Sequence, residues 1–131
     1  MTTFESKTVI NKPIDEVYAF LNDVNNHQQL MPETVSNWSS TNDEASFNIQ
    51  NMLKLYLKVT ERTPNNTIRI GAIQNPPFPL EVCWILSASG SQTQATFTIN
   101  ANLNMMMKMM ASGPLQKLAD HETDALKQLL G

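Results

Sequence analysis

The hydrophobic period of this chain changes twice between its ends. Residues 4–11, FESKTVIN, alternate in a β-branched run that predicts a first strand. Directly afterwards Ile14, Val17, Tyr18 and Leu21 recur at i, i+3, i+4 and i+7, the spacing of one helical face. Pro13 suits the first helical position, and Asp15 and Glu16 complement the positive end of the helix dipole. A polar patch, DVNNHQQ, then leads into Leu30-Met31-Pro32, which predicts a second short helix or turn stopped at Pro32.

From Val35 the period drops to two. Phe47 and Ile49 alternate with Ser46, Asn48 and Gln50, and Leu53, Leu55, Leu57 and Val59 alternate with Lys54, Tyr56 and Lys58. The same rhythm continues in Ile68, Ile70 and Ala72, in Leu80, Val82, Trp84 and Leu86, and in Phe97, Ile99, Ala101 and Leu103. Each run is a strand with one wet face. Turn signals separate them at Asn42-Asp43, Pro64-Asn65-Asn66, Asn75-Pro76-Pro77 and Ser89-Gly90-Ser91, and loops this short predict an antiparallel meander. Alternating strands need a cover over their apolar face. The long closing helix, expected over 114–130 after the Gly113-Pro114 interruption, is the only element large enough to provide it.

A chain of 131 residues fits one domain, 1–131, and at this size about two-thirds of the unfolded surface can be buried. Hydrophobic residues make up 41% and charged residues 16%, so neutral polar groups cover much of the outside. The net charge is −3 and the nine basic residues are scattered, which leaves no footprint for a phosphate backbone and argues against nucleic acid. The start, MTTFESKTVI, has no basic segment followed by a long apolar one, and no apolar run approaches the ~18 residues of a membrane span, so a cytoplasmic protein is expected. The glycosylation patterns at Asn37 and Asn65 then count as chance matches in an Asn-rich chain. A single cysteine, Cys83, reads as a small buried apolar residue, and with only His27 and His121 beside it no zinc site, and no other metal or cofactor, is expected.

The stretch TVINKPIDEVYAFLNDVNNHQQLMPETVSNW, the strand meander after it and the closing KMMASGPLQKLADHETDALKQL together resemble the START-like superfamily of helix-grip proteins, over essentially the whole chain. That group (SRPBCC proteins) includes polyketide cyclase/dehydrase-like proteins, lipid-transfer domains, the birch-pollen allergen family and activators of a heat-shock ATPase. The resemblance rests chiefly on Lys12-Pro13 after the first strand, Val17-Tyr18 with Phe20-Leu21, Asp23, and Leu30-Met31-Pro32. It implies an α+β helix-grip fold: a curved antiparallel sheet of about six to seven strands wrapped around a long C-terminal helix, with one or two short helices after the first strand. It also implies a cavity between sheet and helix that commonly holds an apolar ligand. The family has no shared catalytic motif, so no catalytic residue carries over, and the glycine-rich loop of the plant allergens is absent.

Two features carry candidate chemistry. Met105, Met106, Met107, Met109 and Met110 gather unbranched, polarizable thioethers that read first as core filler where the last strand turns into the helix, and otherwise as an adaptable ligand lining, a partner surface or, less simply, a copper(I) site. On the closing helix Leu115, Leu118, Ala119, Leu126 and Leu129 form one stripe, and Glu122 lies within it. A buried carboxylate must be solvated, paired or protonated. Glu122 is therefore either a polar anchor or general acid–base group at the cavity, or a helix-edge side chain reaching water or a sheet cation. His121 projects about 100° away from it, and His27 sits in a polar turn that reads as exposed. No G-x-S-x-G elbow or phosphate loop occurs among only four glycines. QNPPFPLEV reads as a rigid hairpin loop whose Phe78 folds over the cavity entrance.

The expected function is non-enzymatic binding or carriage of a small hydrophobic or amphipathic molecule. The expected contacts are Leu55, Leu57, Ile70, Trp84, Phe97 and Ile99 from the strands, with Met106, Met109 and Leu118 and with Glu122 as a polar contact. A cyclase/dehydrase-like enzyme would use the same cavity with several converging polar groups. A heat-shock activator-like interaction module would have a filled core instead.

Overall fold

The computed structural model describes residues 2–51 and 53–131. Strand β1 (Thr2–Ile10) is followed by helix α1 (Ile14–Asn22) and a 3₁₀ helix (Val24–Leu30). Then come β2 (Val35–Ser40), β3 (Glu44–Ile49), β4 (Leu53–Thr63), β5 (Thr67–Ile73), β6 (Leu80–Ser89) and β7 (Gln92–Ala101), and helix α2 (Met105–Leu130) closes the chain. The strands form one seven-stranded antiparallel sheet in the order β1-β7-β6-β5-β4-β3-β2. Only β1 leaves the meander order, crossing to pair with β7 at the far edge. This is the curled α+β helix-grip architecture that the resemblance implies, built from the antiparallel meander and closing helix that the alternation predicts.

Register lines the inward face with apolar residues, with Ser6 and Thr93 as polar exceptions toward the β1 edge. Phe47 lies opposite Leu55, Ile70 opposite Val82, and Val82 opposite Ile99, all buried on the face turned to α2, while Lys54 and Lys58 on the other face of β4 are exposed. Curvature has a local source. A register shift between Val59 and Glu61 makes Thr60 an extra residue in β4, and extra residues bend a strand and increase its twist. Beside it sits Gly71, where a Cβ would come within 3.3 Å of the Thr60 side chain, so the bend is accommodated by a residue without one.

Helix α2 starts earlier than the sequence pattern implies. It runs unbroken from Met105 through Gly113-Pro114 to Leu130 instead of beginning at residue 114. The Asn104 side chain caps it by accepting from the Met107 N–H at 2.8 Å, and one Pro removes only a single backbone donor from a helix already nucleated and packed on the sheet. Three ties hold its far half to the β1 edge. Ser6 and Thr123 hydroxyls meet at 2.6 Å, Gln116 donates to the Glu5 carbonyl at 3.3 Å, and the Asn11 N–H donates to the Gly131 carbonyl at 2.8 Å.

These ties decide which leucines are buried. Leu115, Leu118 and Leu126 pack against the concave face, whereas Leu129, expected to join them, is 47% exposed. The last turn is held toward β1, so Leu129 borders an open hollow beside Gln29 and His121, and its neighbour Leu130 packs on the core edge. Leu126→Ala is expected to lower unfolding stability by about 2–5 kcal/mol and Leu129→Ala by less than about 0.5 kcal/mol, read from urea denaturation midpoints. Similar losses at both positions would contradict this packing.

Candidate functional site

The gap between the concave sheet and α2 has two successive sections. The inner one measures about 30 Å³ as space open to the centre of a water-sized sphere. Leu55 and Leu57 of β4, Ile70 of β5, and Phe97 and Ile99 of β7 line its sheet side. Leu115, Leu118 and Glu122 line its helix side, and Val24 and His27 of the 3₁₀ helix join the lining. The outer section, about 270 Å³ on the same measure, lies toward the start of α2 between Ile49, Leu53 and Pro77 on one side and Met107, Met110, Ala111 and Pro114 on the other. Ile49 pairs with Leu53, next along the same face from Phe47 and Leu55, and Leu115 follows Ala111 by one helical turn. The two sections therefore adjoin across an apolar seam.

Glu122 is 4% exposed, and its place follows from helix phase. It falls between Leu118 and Leu126 on the buried stripe, so no rotation of α2 could release it without exposing leucines. Its carboxyl makes no hydrogen bond or ion pair with another described residue, and burial alone raises its pKa well above the ordinary 4.5. Burial thus favours the neutral carboxylic acid form, whose O–H is a donor, beside a lining that is apolar apart from His27.

His27 corrects the expectation of an exposed turn residue: it is 4% exposed. Val24, His27 and Leu30 are spaced by three, which on a 3₁₀ helix aligns them along one buried edge. The ring Nε2 lies 2.7 Å from the Leu21 carbonyl, which can only accept, so Nε2 carries the proton and Nδ1 is a bare acceptor in the neutral ring. Burial lowers the His27 pKa from 6.5, opposed in part by the Leu21 hydrogen bond and the Asp23 charge. His121 is not part of the gap. Its Nδ1 donates to the Leu30 carbonyl at 3.0 Å, pinning the end of the 3₁₀ helix to the turn of α2 that carries Glu122.

Of the residues singled out from sequence, Leu55, Leu57, Ile70, Phe97, Ile99, Leu118 and Glu122 come together around the inner section. Trp84 does not. It is fully buried against Phe97, with ring centroids 4.7 Å apart, and its indole N–H has no partner among the described residues. Met106 and Met109 are 71% and 83% exposed and border neither section. With α2 unbroken through Pro114, about 100° per residue places these two roughly 180° and 120° round from Leu115, while Met107 stays on the gap side. Phe78 is buried but lines neither section, and it is Pro77 of that loop that borders the outer one. Among the described residues no group of three His, Cys, Asp or Glu is placed to hold a metal, and no helix is long and apolar enough to cross a membrane.

No family model and no curated protein matches this sequence. Solved structures match it over nearly its full length. The solution structure of KanY protein superposes with a TM-score of 0.82 at 13% identity, covering 98% of this chain and 97% of that one. The protein TTHA0849 from Thermus thermophilus gives 0.79 at 13% identity, with 98% and 97% covered. The Aha1 dimer from Colwellia psychrerythraea gives 0.69 at 20% identity, with 99% and 96% covered. These likenesses show the helix-grip fold that the sequence resemblance implies.

The two buried groups set opposite pH slopes. Folded Glu122 holds its proton above pH 4.5 where the unfolded chain has lost it, so its contribution is complete below 4.5 and declines as pH rises through the raised pKa. His27, with a lowered pKa, contributes fully above 6.5 and loses that contribution as pH falls. Glu122→Gln should abolish the alkaline decline and leave the His27 limb in place, measured by urea unfolding from acid to mildly alkaline pH. An unchanged alkaline slope in the variant would show that Glu122 is not the buried acid.

Proposed function

We propose that this protein binds a small amphipathic molecule in the sheet–helix gap, with the apolar body in the outer section and the polar end directed to Glu122. The observation that carries this reading is the unpartnered, 4%-exposed carboxyl facing a lining that is apolar apart from His27. An unsatisfied buried polar group costs on the order of 1–3 kcal/mol, and a ligand that bonds to it recovers part of that cost. The outer section approaches the lower end of the ~300–1,000 Å³ typical of ligand pockets, and its Met107 and Met110 side chains can repack around different shapes. Glu122 and His27 are the polar groups among the described lining residues and the rest is apolar, which supports binding and carriage over chemistry needing several converging polar groups. A cytoplasmic location fits this role.

The interaction-module reading also has an observation in its favour. The inner section is nearly filled, and Met105, Met106, Met109 and Met110 expose a continuous apolar surface at the start of α2. Ligand binding separates the two. Medium-chain amphiphiles are expected to raise the melting temperature in proportion to occupancy, equivalent to about 2.7 kcal/mol at a hundredfold excess over Kd. Ala111→Phe, which fills the outer section from the helix side, should abolish the shift while the variant remains folded by circular dichroism. No shift across the series in the wild type would leave the filled-core module as the better account.

A further inference from the structure

The end of the gap formed by Glu122 and His27 has a hydrogen-bonding character more specific than a generic polar contact. His27 lies one 3₁₀ turn before Leu30 and on the same edge, and the Leu30 carbonyl is bonded to His121, the residue preceding Glu122. The two side chains therefore meet the inner section at the same end, from two different elements. Both are 4% exposed, and each keeps one bonding direction without a described partner: the Glu122 carboxyl, and Nδ1 of His27. Apart from these two, the groups facing the inner section are hydrocarbon or aromatic, with the Met31 thioether at its rim. Asp23, the nearby charge that acts on His27, stands outside the gap as the cap of the 3₁₀ helix, accepting from the Asn25 N–H.

Resting on the ligand-binding reading above, we propose that the polar end of the ligand is a neutral hydroxyl, which donates to His27 Nδ1 and accepts from the Glu122 carboxylic acid. A hydroxyl combines a donor and an acceptor on one atom, matching the one acceptor and one donor presented here. It also fits the space. A hollow of about 30 Å³ exceeds the ~10–15 Å³ that a water needs, and a terminal hydroxyl is the size of a water, whereas a phosphate or guanidinium is not. A ligand carboxylate would face a bare nitrogen lone pair with no cation to receive it. An ammonium would require Glu122 to ionise in an apolar surround, where the desolvation of both charges offsets much of their attraction. A carbonyl would leave Nδ1 without a donor.

The test uses the full chain and a set of probes sharing one hexyl body: hexanol, hexylamine, hexanoate and, as the apolar reference, fluorohexane, titrated by calorimetry at neutral pH. Hexanol is expected to bind about tenfold tighter than each of the others, the weight of a good buried hydrogen-bond pair. His27→Phe, which keeps a ring but removes the acceptor, should reduce hexanol to the affinity of fluorohexane. Glu122→Gln supplies an amide donor at every pH. Hexanol affinity should therefore fall with rising pH in the wild type as the acid ionises and stay level in this variant, a difference that a purely structural role would not produce. Hexylamine binding as tightly as hexanol, or all four probes binding alike, would overturn the hydroxyl assignment while leaving the binding site standing. Failure of every probe, fluorohexane included, would reject the ligand-binding reading itself.

Discussion

The packing of one helix against the concave face of one sheet sets everything else in this protein. Seven strands alternate so that a single face is apolar, and α2 and the two short helices cover that face. Because Leu115, Leu118 and Leu126 fix the rotation of α2, every other residue on that stripe is carried inward with them, including a carboxyl group that gains nothing from burial. Glu122 is thus a consequence of helix phase that solubility and stability both oppose. Its burial without a described partner is the reason to look for a use.

The same phase explains the methionines. Carried without interruption through Gly113-Pro114, it turns Met107 toward the outer section and Met106 and Met109 away from it. The methionine segment thus divides by face: a flexible wall for the mouth of the gap on one side, and exposed thioethers on the other. The polar end and the adaptable wall belong to adjoining sections, an arrangement that orients an elongated molecule with one polar terminus.

Much of the fold could be read from sequence because its signals are periodic. Alternation in Leu53–Val59 or Phe97–Leu103 has only one interpretation once turn residues bracket the run, and the Leu115–Leu126 stripe likewise places Glu122 inside. The methionine positions were not legible, since a Gly-Pro pair normally resets helical phase and gave no basis for extending the stripe backward. His27 was hidden for a different reason. Its only signal is the three-residue spacing of Val24, His27 and Leu30 within a polar patch, and short 3₁₀ helices produce too few repeats to stand out. Trp84 shows the limit of alternation: facing inward does not distinguish lining a cavity from packing beneath it.

The site stands on Glu122 being a buried, neutral acid with no protein partner among the described residues, turned toward the gap. The most direct measurement is the chemical shift of its side-chain carboxyl carbon followed by NMR across pH, assigned by comparison with Glu122→Gln. A midpoint well above 4.5, with no companion titration from a paired cation, is the predicted result. A midpoint at or below 4.5 would mean that Glu122 is solvated or ion-paired, and the site as described here would not exist.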